Sequence, residues 1–165
     1  MSLKIDIDTD DIDDVINELT RFERVVGDEI ERGMRLSMDV FRQAVAGHTP
    51  VNSNDLRGTL EASVKGSGVN YTGELIPGMP YGEAVEFGRK PGKPPPTAAI
   101  KMWVIRKGIA TGAEADSVAF LIARAIGKRG TKGAFMFKRG FAQAKPAVLR
   151  YWQGVPARII GKLNL

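Results

Sequence analysis

The sequence predicts an α+β fold: a small antiparallel β-sheet packed by a long N-terminal helix and a C-terminal helix. Three observations predict it. Apolar residues recur every three or four positions for some 35 residues from Ile12, period-two alternation takes over between Thr59 and Pro77, and helical spacing returns from about Gly140. The 165 residues are expected to form one domain. Their 43% apolar and 26% charged content excludes a disordered chain, and no apolar run approaches the ~20 residues that span a bilayer.

A short stretch in which Leu3, Ile5 and Ile7 alternate with Lys4, Asp6 and Asp8 precedes the first helix. Thr9 is the expected N-cap, and Asp10, Asp11 and Asp13 place negative charge where the helix dipole favours it. Ile12, Val15, Ile16, Leu19, Phe22, Val26, Ile30, Met34, Met38, Phe41 and Val45 then form one stripe. Within this N-terminal helical region, residues 1–47, the stripe covers some 35 residues, roughly 50 Å if unbroken, so the helix must project from a small domain or bend at Gly27 or Gly33. Gly47 and Pro50 end it.

Leu60, Ala62 and Val64 alternate with polar neighbours, Gly66-Ser67-Gly68 turns the chain, and Val69 to Ile76 returns, which reads as an antiparallel hairpin. Tyr81 to Phe87 is a short half-buried element with Tyr81, Val85 and Phe87 as its expected apolar side, and Gly88 follows at a turn. Arg89 to Pro96 cannot be helical because of its prolines. Ile100–Ile105 and Ser117–Ile126 are helix-like, and Gly127 to Gly133 reads as a second basic loop. The last helical pattern carries Phe141, Ala144, Val148, Leu149, Trp152, Val155 and Ile159, with an interruption or bend expected at Pro146 and Pro156.

Charge is distributed unevenly. Residues 1–31 hold eleven acids and three bases, a balance of −8; residues 32–87 stand at −1; residues 88–165 hold two acids and sixteen bases, or +14. That polarity fits a basic surface meeting a polyanion, copies meeting acidic end to basic end, or internal cancellation.

Candidate chemistry is sparse. The chain has no cysteine, which excludes disulfides, thiol catalysis, iron–sulfur clusters and thiolate zinc sites, and fits maturation in a reducing cytoplasm. The start at Met1 shows no apolar signal core, so secretion by that route is not expected. The one histidine, His48, lies at a helix end, where a dipole partner or cap is the commoner role. Asp6 to Asn17 resembles a calcium loop only until its sixth and twelfth positions, Asp11 and Asn17, replace the required Gly and Glu. Gly127 to Gly133 lacks the order of a phosphate-binding loop. It reads either as a mobile basic loop for a partner or nucleic acid, or as a solvated surface loop. Phe135, Phe137 and Phe141, interleaved with Lys138 and Arg139, could stack bases, although alternating Phe more often marks one core-facing side of a strand.

Three segments, in order behind an N-terminal helix, resemble a family. Thr49-Pro50-Val51 with Asp55-Leu56-Arg57-Gly58-Thr59-Leu60 is similar to the "T-P-V-D-T-G-x-L-R-x-S" opening of tail-component proteins of long-tailed bacteriophages, the family that includes tail completion protein Z of phage lambda. Tyr81 to Gly88 resembles its "Y-A-x-x-V-E-F-G-T" signature, with Glu86, Phe87 and Gly88 in place and Arg89 where Thr is usual. Gly130 to Phe137, with Phe141, resembles its "G-T-x-x-x-P-F-L-x-P-A-F" segment. Asn52-Ser53-Asn54 replaces the Asp-Thr-Gly turn, and residues 89–133 stand as a variable insertion holding the two basic loops.

The resemblance implies a structural virion protein at the head–tail junction, a tail completion, neck or minor tail component, assembled in the host cytoplasm and resident in the virion. It implies a homo-oligomeric ring, six copies by analogy, and partners among the tail terminator, head–tail connector or stopper and tail tube, with no membrane. No enzymatic activity, catalytic residue, cofactor or metal is expected. Arg89, Lys90, Lys93, Lys128, Arg129, Lys132, Lys138 and Arg139 are the candidate surface for a neighbouring subunit or DNA, and the two basic loops, Arg89 to Lys93 and Lys128 to Lys132, are expected to be mobile in the free chain. A basic nucleic-acid-binding module is the alternative function.

Overall fold

The structure of the chain, a computed structural model, describes residues 10–50 and 55–164. The expected N-cap Thr9, the alternating stretch before it and the Asn52-Ser53-Asn54 turn lie outside the described residues. Helix α1 runs Asp10–His48, followed by the short α2 (Asp55–Gly58), strands β1 (Leu60–Ser67) and β2 (Asn70–Pro77), helix α3 (Gly82–Phe87) and the two-residue strand β3 (Gly88–Arg89). Helices α4 (Thr97–Arg106) and α5 (Gly112–Arg129), strand β4 (Thr131–Lys132), and helices α6 (Met136–Gln153) and α7 (Val155–Leu163) complete it. The fold is α+β, as expected, with the hairpin β1–β2 and the antiparallel pair β3–β4.

Chain contacts divide the molecule into two compact units, one from the described parts of Met1–Val40, Ala62–Glu74 and Lys145–Leu165, the other from Phe41–Glu61 and Leu75–Ala144. In the first, α1 is continuous through Gly27 and Gly33. Gly33 is a point of close approach: a Cβ there would stand 2.9 Å from the Trp152 ring and 3.0 Å from that of Tyr151. Trp152 Nε1 donates to Ser37 Oγ at 3.0 Å, and Ser37 Oγ donates back to the Gly33 carbonyl at 2.7 Å, fixing the indole against this face. Gly68, at φ +58°, supplies the positive φ that a two-residue hairpin turn needs at its first central position. Val69 therefore sits in the turn, exposed, rather than in the strand.

The first turns of α1 carry their apolar stripe exposed. Residues 12–24 are exposed throughout, and burial begins with Gly27 and Glu29. Glu29 is fully buried, and no apolar pattern could mark it as a core position.

In the second unit the core is Val45, Leu56, Leu60 and Met136, with Phe41, Leu75, Met79, Val85 and Phe137 packed round them. A smaller cluster of Val104, Ala110 and Ala115, with Trp103 and Ile122 against it, joins α4 to α5. These helices extend beyond the Ile100–Ile105 and Ser117–Ile126 cores that apolar spacing identifies. Pro146 lies inside α6 without ending it, and the break instead falls at Gly154, with Pro156 in the first turn of α7, where its missing N–H is tolerated.

Candidate functional site

The residues of the resembling segments converge on helix ends. An α-helix leaves its last carbonyls and first N–H groups without internal partners. At the end of α1, Arg57 Nε donates to the Ala46 carbonyl at 2.8 Å and Thr49 Oγ1 donates to the Val45 carbonyl at 2.8 Å, so the first segment closes the helix. A cation there also meets the negative end of the helix dipole. Leu56 is buried in the core beside this cap, and Pro50 is exposed. His48 in the last turn pairs with Gln143: Nε2 lies 2.8 Å from Oε1, so the Nε2–H tautomer donates.

Glu86 performs the converse task. Its carboxylate accepts from the Phe137 N–H at 2.9 Å and from the Lys138 N–H at 3.3 Å, the second and third residues of α6, so a side chain 51 positions earlier does the work of an N-cap. The neighbouring backbone locks the same joint. Ala134 N–H donates to the Val85 carbonyl at 2.8 Å and Phe135 N–H to the Glu86 carbonyl at 3.0 Å, while β3 pairs with β4 through Gly88–Lys132 and Arg89–Thr131. Gly88 has φ +79°, and a Cβ on it would collide with the Thr131 carbonyl oxygen, so the expected turn glycine is required twice over. The second and third segments are thus one physical joint.

Two expectations are corrected here. Phe87 is 68% exposed and Tyr81 is exposed, whereas Gly82 and Glu86 are buried and Val85 half-buried. The segment is a helix, so burial follows i, i+3, i+4 and Phe87 falls a further 100° round, away from the core. Phe87→Ala is accordingly expected to change the unfolding free energy by less than about 0.5 kcal/mol in a denaturant titration. Glu86→Ala should cost about 1 to 2 kcal/mol and Glu86→Gln, which keeps one acceptor oxygen, less than half of that. Equal losses from the two would contradict the capping role.

The second correction concerns Phe135, Phe137 and Phe141, which do not form one side of a strand. Phe135 adopts φ +52° just before α6 and is exposed, Phe137 is half-buried in its first turn, and Phe141 is largely exposed, meeting Phe41 edge-on at 5.7 Å. Met136 between them is the core residue.

The eight candidate basic residues are all exposed. They are not borne on free loops, however. Lys128 and Arg129 occupy the last turn of α5 and Lys132 lies in β4. Arg89 donates from its guanidinium to the Lys93 carbonyl at 3.2 Å, and Gly92 N–H donates to the Gly127 carbonyl at 2.8 Å, which ties the proline segment to the end of α5. The backbone amides, rather than apolar burial, supply the ordering that side-chain composition did not reveal. Lys138 and Arg139 stand in the first turn of α6, with Lys138 Nζ 6.0 Å from the Phe135 ring centroid.

One cluster was missed altogether. Glu29 accepts from Arg158 Nε and from Lys162 Nζ, both at 2.7 Å, and Arg158 also lies over the Tyr151 ring at 4.2 Å. Its available signal is the i, i+4 spacing of Arg158 and Lys162 on an amphipathic helix. The hydrogen bonds from Lys162 and Arg158 hold the Glu29 carboxyl below the ordinary carboxylate range. Among the described residues, no three of His, Cys, Asp and Glu come together in a way that could hold a metal ion, and no helix is long and apolar enough to cross a membrane.

Residues 13–88 match the family described as "Bacteriophage HK97-gp10, putative tail-component". The chain is similar to that tail-component family over this segment, a little under half of its length. The match holds the α1 cap and the Glu86 helix, and ends at Gly88, before the third segment; the joint between Glu86 and α6 connects that segment to it physically. No curated protein and no solved structure matches the chain.

Proposed function

We propose that the chain is a structural protein of the head–tail junction of a long-tailed phage or prophage, a tail completion or neck component that works by subunit contacts in a ring. The observation that carries this reading is the use made of the charged residues in the matched segment. Arg57 and Glu86 are consumed in closing helices, which supports a scaffold rather than a reaction centre. The surfaces left over suit assembly: an acidic helix start, and a second unit whose exposed bases stand almost unopposed by acids after Gly88. Head-to-tail contacts between unlike surfaces close into rings when the rotation permits, and six copies, as in phage tails, is the proposed number. The role is proposed to be non-enzymatic, with assembly in the host cytoplasm.

Deleting the gene tests the junction role. Full heads and finished tails that fail to join are the expected product; normal particles would refute it, and absent tails would move the role to tail building.

The exposed bases also favour a second reading, contact with DNA passing through the junction. A steep fall in DNA retention between low and moderate salt would support it, since phosphate contacts release counterions. Ring contacts with an apolar centre should persist under the same change.

A further inference from the structure

The proline segment and α5 enclose a cavity of about 310 Å³, lined chiefly by apolar atoms of Pro94, Pro95, Phe120 and Ala123 and rimmed by Arg124 and Lys128. Phe120 is 57% exposed at its wall, and Phe120, Arg124 and Lys128 follow one another at i, i+4 and i+8 on one face of the helix. An apolar trough with a cationic rim, on a face whose one acid, Asp116, lies a turn before Phe120 and is paired with Lys101 at 2.8 Å, fits an amphipathic helix with acidic flanks better than it fits phosphates alone, which would leave the trough unfilled.

The same chain carries such a helix. Ile12, Val15, Leu19 and Phe22 recur at spacings of three and four along the exposed start of α1, where Leu19 is 60% exposed. Glu18 and Glu23 lie beside this stripe by helical spacing, and residues 10–24 hold six acids and two bases, a balance of −4. Two such helices would repel each other, which disfavours pairing of α1 with its own copy. Eight helical residues, about 12 Å, separate Val15 from Glu23 and also Phe120 from Lys128, so the stripe and the trough match in length.

We propose that the exposed apolar stripe of α1 in one copy docks in the trough between the proline segment and α5 of a second copy, with Glu18 and Glu23 meeting Arg124 and Lys128. The inference rests on the head-to-tail reading and names its two faces. It explains why an apolar stripe left exposed among the described residues carries acids on its borders, and why the basic half of the chain presents an exposed Phe among its cations.

The absence of native cysteine makes the test direct. Full-length Thr20→Cys, beside the stripe, and Thr97→Cys, on the trough wall, are mixed in concentrated solution with a short bismaleimide. The expected product is the mixed dimer, in excess over either homodimer. Adding Leu19→Asp to the first variant, or Lys128→Glu to the second, should remove most of that product without changing helical content, because both positions are exposed. A predominance of Thr20→Cys homodimer would place α1 against α1 and overturn the proposal. Mixed product insensitive to both added substitutions would overturn it as well. Absence of mixed product, with Lys128→Glu instead weakening retention on single-stranded DNA, would assign the trough to nucleic acid and also refute it. A ring found in particles without the mixed product would refute this docking and leave the ring standing. Absence of the chain from particles would refute the ring, and the crosslink would then judge the pairwise contact by itself.

Discussion

Met136→Ala is expected to lower the unfolding free energy by about 3 kcal/mol, the middle of the range for emptying a buried methionine site. The side chain is completely enclosed and lies in the core cluster that brings the end of α1, the start of β1 and the start of α6 together, through Val45, Leu56 and Leu60. Relaxation into the void is resisted on one side by the backbone. At Gly140, one turn along α6, a Cβ would stand 2.5 Å from Val45 Cγ2 and 2.7 Å from its Cα, so the helices are already as close as they can come. Thr49 Oγ1, 3.4 Å from the Met136 sulfur, keeps its bond to the Val45 carbonyl and is not orphaned. The melting temperature should fall by roughly 6 to 12 °C. Met136→Leu should recover most of that loss, and if both variants melt like the parent the core assignment is wrong.

Glu29→Ala comes next in size, at about 2 kcal/mol. Breaking a fully buried ion pair costs about 3 to 5 kcal/mol, but Arg158 and Lys162 are partly exposed and can turn to water, which reduces the loss. The same cluster fixes a pH dependence. The folded Glu29 pKa is depressed relative to the unfolded chain, so its contribution is fully present above the ordinary Glu range and is lost as pH falls through the lower folded value. Parent protein should therefore destabilise more than Glu29→Ala in acid below about pH 4.5, and the two should run parallel near neutrality. A difference that grows toward high pH instead would remove Glu29 from the buried role.

Much of the fold was legible because period reports burial. The 3.6-residue stripe marked α1, Gly47 and Pro50 marked its end, which falls at His48, and the switch to alternation marked the hairpin. The errors have a common physical source. A stripe shows which side of a helix is apolar but not whether anything covers it, so the exposed start of α1 read the same as its buried middle. Short elements carry too few residues for their period to be decided: Tyr81 to Phe87 fits both two and 3.6, and only the second buries Glu86 and turns Phe87 outward. The Glu29 cluster was hidden because its partners come from Arg158 and Lys162, about 130 positions away, and charged residues ordinarily mark the outside. Glu86 was recognisable as a motif residue, but the donors it serves lie at the start of a helix whose first turn sequence spacing had not reached.

The most direct measurement of the central claim is the position of this chain in mature particles, by imaging purified virions in which it carries a small added density. The structural account predicts a closed ring of labelled density between the head vertex and the first ring of the tail tube. Particles that are complete, infectious and free of the chain would contradict it.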